Sequence, residues 1–395
     1  MIFLKAIFFL ITGYFLFCVL YVFFFSMAGL FYKNPVFPKA KRNRKIAILV
    51  PAYKANGVIE ELADNVLRQE YPDYDLIIIA DSLNADVLER LRKKPVKVME
   101  FSDPNRTKAL ALNTIMGQLP DHAYEVALIL DSDNLIKDPD YLSCLNDAFE
   151  AGCQVVQTHR TSKNRNTPIA FLDAVSEEIN NHIFRRGHAA VSLSTALIGS
   201  AMAFDYQLYK NGMKLVKTSG EDRELEINLL RKKIRFTYVD RLPVLDEKTQ
   251  EAGVFVDQRG RWIANQLLQA RTNIAEAFCL LFHGNIDFFD KVIQQFLLPR
   301  ILMLALMTVF TIFVVIFMPA AYSAVWLLMD MLLIISLLLD IPKNMFGKTM
   351  IKAVLYLPQG AFLMFSSLFK LKGATKKFHA TEHRSIPGEV NQQSG

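Results

Sequence analysis

Two aspartates one residue apart, Asp131 and Asp133, follow directly on the apolar run VALIL at 126–130. If that run is a strand, residues i and i+2 point the same way and both carboxylates share a direction. Paired carboxylates repel and resist burial unless a cation joins them. Hard oxygen donors of this kind suit Mg2+ or Mn2+, which take one or two carboxylates and complete their shell with substrate phosphates. A solvated turn is the competing reading of an Asp-x-Asp alone.

Three further groupings carry chemistry. Asn105-Arg106-Thr107-Lys108 precedes a helix expected from about Ala109. Two cations there oppose the helix dipole, whereas free amides at a helix amino terminus favour an anion. Arg106, Lys108 and those amides together suit a diphosphate; an exposed basic turn is the alternative. Next comes Ser219-Gly220-Glu221-Asp222. Here Thr218 with Glu221 predicts a capping box for a helix carrying Leu225 and Leu229, and a catalytic carboxylate is the second reading. Last is Gln258-Arg259-Gly260-Arg261-Trp262. On a helix Gln258, Arg261 and Trp262 share a face, where amide, guanidinium and indole suit a phosphate and a sugar ring. An ordinary amphipathic helix with Trp262 in a core is the alternative.

These residues need elements to hold them. Between residues 46 and 265 short apolar, β-branched runs (46–50, 76–79, 126–130) alternate with helical spacings such as Val58, Ile59, Leu62, Val66 and Leu112, Ile115, Met116, Leu119. That alternation predicts an α/β domain with a mostly parallel sheet and right-handed crossovers. Ligands in such sheets bind at the carboxyl ends of strands, where Asp81 and Asp131 fall.

The ends of the chain differ from this middle. Apolar residues make up 52% of the sequence, and the excess sits at the two termini. Residues 6–32 are almost entirely apolar, longer than the roughly 20 residues a span requires and too long for a signal-peptide core. Residues 1–33 are therefore expected to hold a transmembrane helix. Lys33, Lys39, Lys41, Arg42, Arg44 and Lys45 follow it without an acidic residue, which predicts a cytoplasmic central domain by the positive-inside rule.

Residues 270–298 read as amphipathic interfacial helices, and 300–341 as two spans turning at Pro319. Residues 350–369, interrupted by Pro358, Gln359 and Gly360, read as an interfacial or transmembrane helix, followed by a basic tail over 370–395. Asp330 falls near the middle of an expected span, where a carboxylate is costly. It is either a group that hydrogen-bonds sugar in a channel or a protonated, helix-paired residue.

The formal net charge of +6 lies mostly beside apolar segments, where anionic lipid would meet it, and no basic stripe with interleaved aromatics suggests nucleic acid. Cys18, Cys144, Cys153 and Cys279 are scattered without disulfide or metal spacing, as expected in a reducing compartment.

The order PAY (51–53), Asp81, KALALN (108–113), DSD (131–133), GED (220–222) and QRGRW (258–262) resembles the membrane-bound branch of glycosyltransferase family 2. That branch includes cellulose, hyaluronan, chitin-oligosaccharide and poly-N-acetylglucosamine synthases. The resemblance covers roughly 45–340 and departs at Lys54-Ala55, where the family carries Asn-Glu.

It implies a GT-A fold over 45–265, with Pro51, Ala52, Tyr53 and Asp81 at the uridine end and Lys108 beside the nucleotide. Asp131 and Asp133 would bind the diphosphate through Mg2+ or Mn2+. Asp222 would be the catalytic base, Gln258 and Arg261 would steady the pyrophosphate, and Trp262 would face the acceptor. The implied activity is inverting transfer from a UDP-sugar to a growing polysaccharide, processive and coupled to export, with accessory export proteins as partners. Single transfer to a lipid, as in ceramide glucosyltransferases, and an inactive scaffold subunit are the competing readings.

Overall fold

The computed structural model describes residues 2–369 except Ser219, so the basic tail expected over 370–395 lies outside the described residues. The first half of the chain contains α1 (Ile2–Gly29), β1 (Ile46–Tyr53), α2 (Ile59–Val66), β2 (Tyr74–Asp81), α3 (Ala85–Arg92), β3 (Lys97–Glu100), α4 (Lys108–Gln118), β4 (Val126–Ile129), β5 (Leu135–Ile136), α5 (Tyr141–Glu150) and β6 (Val155–Ser162). Then come α6 (Pro168–Asn180), which continues through a π-helical stretch (Asn181–Gly187) into α7 (His188–Ala190), followed by β7 (Met202–Asp205), α8 (Tyr206–Met213), α9 (Glu221–Arg231) and β8 (Thr237–Asp246). The helices α10 (Ala252–Phe282), α11 (Ile286–Gln294), α12 (Arg300–Phe317), α13 (Ala320–Leu339) and α14 (Lys348–Leu368) complete it.

All eight strands form one sheet in the order β3-β2-β1-β4-β7-β6-β8-β5. The half formed by β3, β2, β1 and β4 is parallel. Beyond it β7 runs antiparallel to β4 and β6, β8 runs parallel to β6, and β5 runs antiparallel to β8. Alternation along β1 explains the two layers that cover the sheet. Ile46, Ile48 and Val50 point into one core with Leu62, Val66, Tyr141 and Leu145. Ala47 and Leu49 point into the other with Leu112, Ile115, Phe204 and Leu229. Strands buried on both faces read as continuous apolar runs, which is why these were legible in the sequence.

Among the described residues, four helices are long and apolar enough to cross a membrane: Lys5–Gly29 within α1, then α12, α13 and α14. A third core joins Phe15, Val19 and Val22 of α1 to Met307 and Val314 of α12 and to Trp326 and Leu333 of α13. Gly187 closes the contact of α1 with the π-helical stretch: a Cβ there would sit 2.2 Å from the carbonyl oxygen of Phe25.

One boundary differs from expectation. Residues 252–282 form one continuous helix, so the border placed between 265 and 270 falls inside α10. Its pattern changes from site-facing to amphipathic part way along, and no Gly or Pro lies between 261 and 282 to end it. In α14, Pro358 lies inside the helix without ending it.

Candidate active site

The carboxyl edge of the sheet opens into a cavity of about 500 Å3. Pro51, Ala52 and Tyr53 end β1 there, and Asp81 ends β2. Both strands stop in a left-handed residue, Lys54 (φ 50°) and Ser82 (φ 57°), a conformation that costs a non-glycine residue about 1–2 kcal/mol. The amide of Lys54 donates to the carbonyl of Asp81 (2.9 Å), tying the two strand ends together. Asp81 is buried, accepts from the Ser82 hydroxyl (2.9 Å) and lies 3.5 Å from the Arg106 guanidinium. Arg106 also lies over the Tyr53 ring at 5.5 Å. The expected nucleotide residues thus form one wall, and Arg106 joins them.

Thr107 caps α4 by accepting from the amide of Leu110 (3.0 Å), which sets Lys108 in the first turn facing the cavity. Its ammonium donates to Asp131 Oδ1 (2.5 Å) and to the carbonyl of Gly199 (2.7 Å), and lies 3.4 Å from Glu221 Oε1. Burial opposes the charge of Lys108, but the carboxylates of Asp131 and Glu221 outweigh it and raise its pKa. Burial also pushes Glu221 up, to about 7, against the pull of Lys108.

Asp131 and Asp133 both line the cavity, but through a turn rather than an extended strand end. The amide of Asn134 donates to the carbonyl of Asp131 (3.0 Å), and its side-chain oxygen accepts from the amide of Asp131 (3.0 Å). Asn134 drives this difference, since a short amide side chain offers the backbone a local partner. Asp133 is buried and accepts from the amide of Glu247 (3.1 Å).

The donor set fits a divalent cation shared with substrate. Two hard carboxylates face one cavity, and the described residues include no group of three His, Cys, Asp or Glu side chains placed to hold an ion alone. The diphosphate would complete the shell, as Mg2+ and Mn2+ favour.

Asp222 stands in the first turn of α9, its Oδ1 accepting from the amide of Arg223 (2.8 Å). The expected capping box is absent. Glu224 Oε2 accepts from the amides of Lys217 (3.0 Å) and Thr218 (2.8 Å) and from the Thr218 hydroxyl (2.8 Å). That contact leaves Glu221 free to face Lys108 instead. Ser219 lies outside the described residues. Gly199 (φ +83°) backs the site: a Cβ there would lie 3.4 Å from Asp222 Oδ2 and 3.7 Å from Lys108 Nζ.

Gln258, Arg261 and Trp262 all face the cavity from α10. Buried polar atoms on this face have no protein partner: Gln258 Oε1, Arg261 Nε and, one turn on, Asn265 Oδ1. Burial lowers the pKa of Arg261. Unpaired buried donors and acceptors aimed into a cavity are groups that await a polar ligand. Trp262 keeps 37% of its surface exposed, enough for a ring face to meet ligand. The Arg259 guanidinium stacks on it at 4.2 Å and is ion-paired with Asp173 of α6.

Sequence reasoning missed a buried ionic lattice beneath Asp133. Lys248 donates to Asp246 Oδ2 (2.8 Å) and Glu177 Oε2 (3.3 Å), and Arg160 donates to Glu177 Oε2 (3.0 Å). Asn134 Nδ2 donates to Asp246 Oδ1 (3.0 Å), which links the lattice to the Asp131–Asn134 turn. Burial would push Asp246 up, yet Arg160 and Lys248 outweigh it and hold it below the ordinary carboxylate range. Asp330 of α13 is placed apart: it is not among the residues that line the cavity, and its Oδ1 has no hydrogen-bond partner.

Comparison with known proteins gives the family and the fold. Residues 43–265 match the family model described as glycosyltransferase like family 2. Across 96 residues the chain is 30% identical to the poly-beta-1,6-N-acetyl-D-glucosamine synthase of Staphylococcus epidermidis, a match that spans 24% of this chain and 23% of that protein. The fold is similar to that of the mannosyltransferase PcManGT from Pyrobaculum calidifontis, solved with GDP-Man and Mn2+, with a TM-score of 0.54 at 14% identity over 94% of this chain and 98% of that one. Glucosyl-3-phosphoglycerate synthase from Mycobacterium tuberculosis, solved with Mn2+, UDP and phosphoglyceric acid, aligns over 56% of this chain and 79% of its own at 17% identity and a TM-score of 0.41.

Proposed function

The chain belongs to glycosyltransferase family 2, and from that premise we propose that it is an inverting enzyme that moves a sugar from a UDP-sugar to an acceptor delivered at a membrane. It has a GT-A fold and uses a nucleotide-sugar. The observation that carries the rest is the place of Asp222. It shares one cavity with the Lys108, Asp131 and Asp133 cluster and with the Gln258, Arg261 and Trp262 face.

In this reading Asp222 accepts the proton of the acceptor hydroxyl as that oxygen attacks the anomeric carbon. A positioned base of this kind contributes about 10²–10⁴-fold. Pro51, Ala52, Tyr53 and Asp81 hold the uridine, and Gln258 and Arg261 hold the pyrophosphate, Arg261 through the Nε–H that finds no protein partner. Trp262 offers its exposed face to the acceptor sugar. A Mg2+ or Mn2+ ion bound to Asp131 and Asp133 would supply charge neutralisation for the departing nucleoside diphosphate.

The acceptor we favour is a growing polysaccharide, made processively and exported with the help of accessory proteins. The partial likeness to a poly-N-acetylglucosamine synthase supports it. In that arrangement α1, α12 and α13 span the bilayer, α10 and α11 lie at its surface, α14 is interfacial or a further span, and the sheet is cytoplasmic. One feature favours the second reading, a lipid acceptor: the cavity lining includes the apolar side chains of Leu172, Phe255, Leu298, Leu363 and Met364.

The test is incubation of nanodisc-held protein with a panel of UDP-sugars and Mn2+ or Mg2+. Product is resolved by size and its anomeric configuration read by NMR. Inverted configuration and long products support polysaccharide synthesis. A single-sugar glycolipid selects the second reading, and a retained configuration rejects Asp222 as base.

A further inference from the structure

The cavity does not end at the acceptor platform. Its lining also includes residues of α6, α10, α12 and α14, and each of the four contributes apolar side chains. The helices α12 and α14 are apolar enough to cross a membrane, and Val22 of α1, a third such helix, also reaches the lining. A path from Asp222 therefore runs into the part of the molecule that lipid would surround.

Of the cations that line the cavity, Arg300 differs from its neighbours. Arg300, the first residue of α12, lines the cavity beside Leu298 and Ile301. Its guanidinium donates to Asn180 Oδ1 (2.7 Å) and to the carbonyl and hydroxyl oxygens of Ser176 (3.0 and 3.1 Å), and it lies over the Phe184 ring at 5.7 Å. Every one of these partners is neutral. Among the described residues no carboxylate lies within 4.0 Å of Arg300, whereas Arg160, Arg185, Arg186 and Arg259 of the same region all have one. The charges nearest in effect are Asp340 and Glu177 of one sign and Arg259 and Arg185 of the other. Arg259 adds a second donor, since its Nε has no partner. Arg300 is only half-buried, but a guanidinium with no carboxylate in contact keeps its charge available to a ligand, and its planar fork matches phosphate.

We propose that Arg300 is the head-group site for a phosphate-bearing lipid whose chain lies along Leu172, Leu298, Leu363 and Met364 and whose polar end reaches the acceptor platform at Trp262. The reading rests on the lipid-acceptor alternative above and names its chemical class. Charge selects the occupant: a neutral polysaccharide offers Arg300 hydroxyl oxygens but no counter-charge, and Leu172, Leu298, Leu363 and Met364 offer a sugar chain no hydrogen bonds. A soluble phosphate would satisfy the arginine but leave the apolar wall unused.

The probe is a photoreactive phosphatidic acid carrying a diazirine near the end of one acyl chain. It is presented to the full chain in phosphatidylcholine nanodiscs, and cross-linked peptides are mapped by mass spectrometry. The wild type is expected to cross-link on α14 near Leu363 and Met364. Arg300→Gln should lower that yield by about ten-fold or more, as loss of a charge-paired group does. Arg300→Lys, which keeps the charge, should restore most of it.

UDP binding, read at the opposite end of the cavity, reports whether each variant is folded and should not change. Equal cross-linking in wild type and Arg300→Gln would overturn the proposal. So would equal yield from a photoreactive diacylglycerol, which carries no phosphate, or displacement of the probe by inorganic phosphate at low millimolar concentration, which would mark an inorganic anion site. Failure of the enzymatic reading shows separately, as an absence of UDP release from every UDP-sugar while lipid capture persists.

Discussion

Lys108 is the hinge of the site at the scale of single residues. One ammonium contacts Asp131, approaches Glu221 and is anchored on the carbonyl of Gly199. The cluster tolerates little change because Gly199 has a positive φ and only 3.4 Å from its Cβ position to Asp222 Oδ2. Gly199→Ala is therefore expected to cost about 1–2 kcal/mol in backbone strain and to displace Asp222. Steady-state kinetics should show a lower kcat with KM for the UDP-sugar little changed; unaltered kcat would contradict a positioning role. Asp81, Asp131, Asp133, Asp222 and the Gln258–Arg261–Trp262 face were legible in the sequence because each follows a strand or begins or lies on a helix with a readable pattern. Their partners were not. Nothing local in the sequence pairs Arg259 with Asp173, or Lys248 with Glu177, since those contacts exist only once α6 is laid against β8 and α10.

Elements tell the same story through hydrogen bonding. The parallel strands β1, β2 and β4 were readable from their β-branched runs, because strands buried on both faces lack polar interruption. The antiparallel return of β7 was not: four residues carry no period, and the strand exists through its pairing with β4 and β6. Helix α6 and the π-helical stretch were missed as well, although Thr167-Pro168 is a start signal: Thr167 accepts from the amide of Ala170 (3.1 Å) with proline in the first turn.

The joint between β6, α6 and β8 is sealed by His159, whose ring nitrogens meet Asp240 (2.7 Å) and Glu178 (3.4 Å). Burial disfavours its charge, but those two carboxylates prevail and push its pKa up to about 9 from an ordinary 6.5. The folded state thus holds this proton more tightly than the unfolded one. The stabilisation, on the order of 3 kcal/mol, is complete below pH 6.5 and is lost as pH rises through about 9. Melting temperature in nanodiscs should fall over that window, and His159→Gln should flatten the fall. An equal slope in the variant would contradict the assignment.

On the whole-molecule scale, one cavity joins the sheet edge proposed to hold the nucleotide to helices that are apolar enough for a bilayer. The sequence displayed both ends but not their connection, because the connection is made by Arg300, Phe184 and Met364, residues distant in the chain and individually unremarked. Asp330, singled out for its cost within an apolar helix, is absent from that lining. Asp330→Leu is accordingly expected to leave UDP release unchanged, measured beside the wild type in the same nanodiscs. A loss of release would place Asp330 on the reaction path, and a loss of exported product alone would favour a role in a channel.

The most direct test of the central claim is metal-dependent UDP release by wild type and Asp222→Asn, with UDP binding measured on the same preparations. The account predicts that one UDP-sugar supports release in the wild type and that EDTA abolishes it. It also predicts that Asp222→Asn binds UDP normally while release falls by about 10²-fold or more. Turnover by Asp222→Asn at the wild-type rate would contradict it.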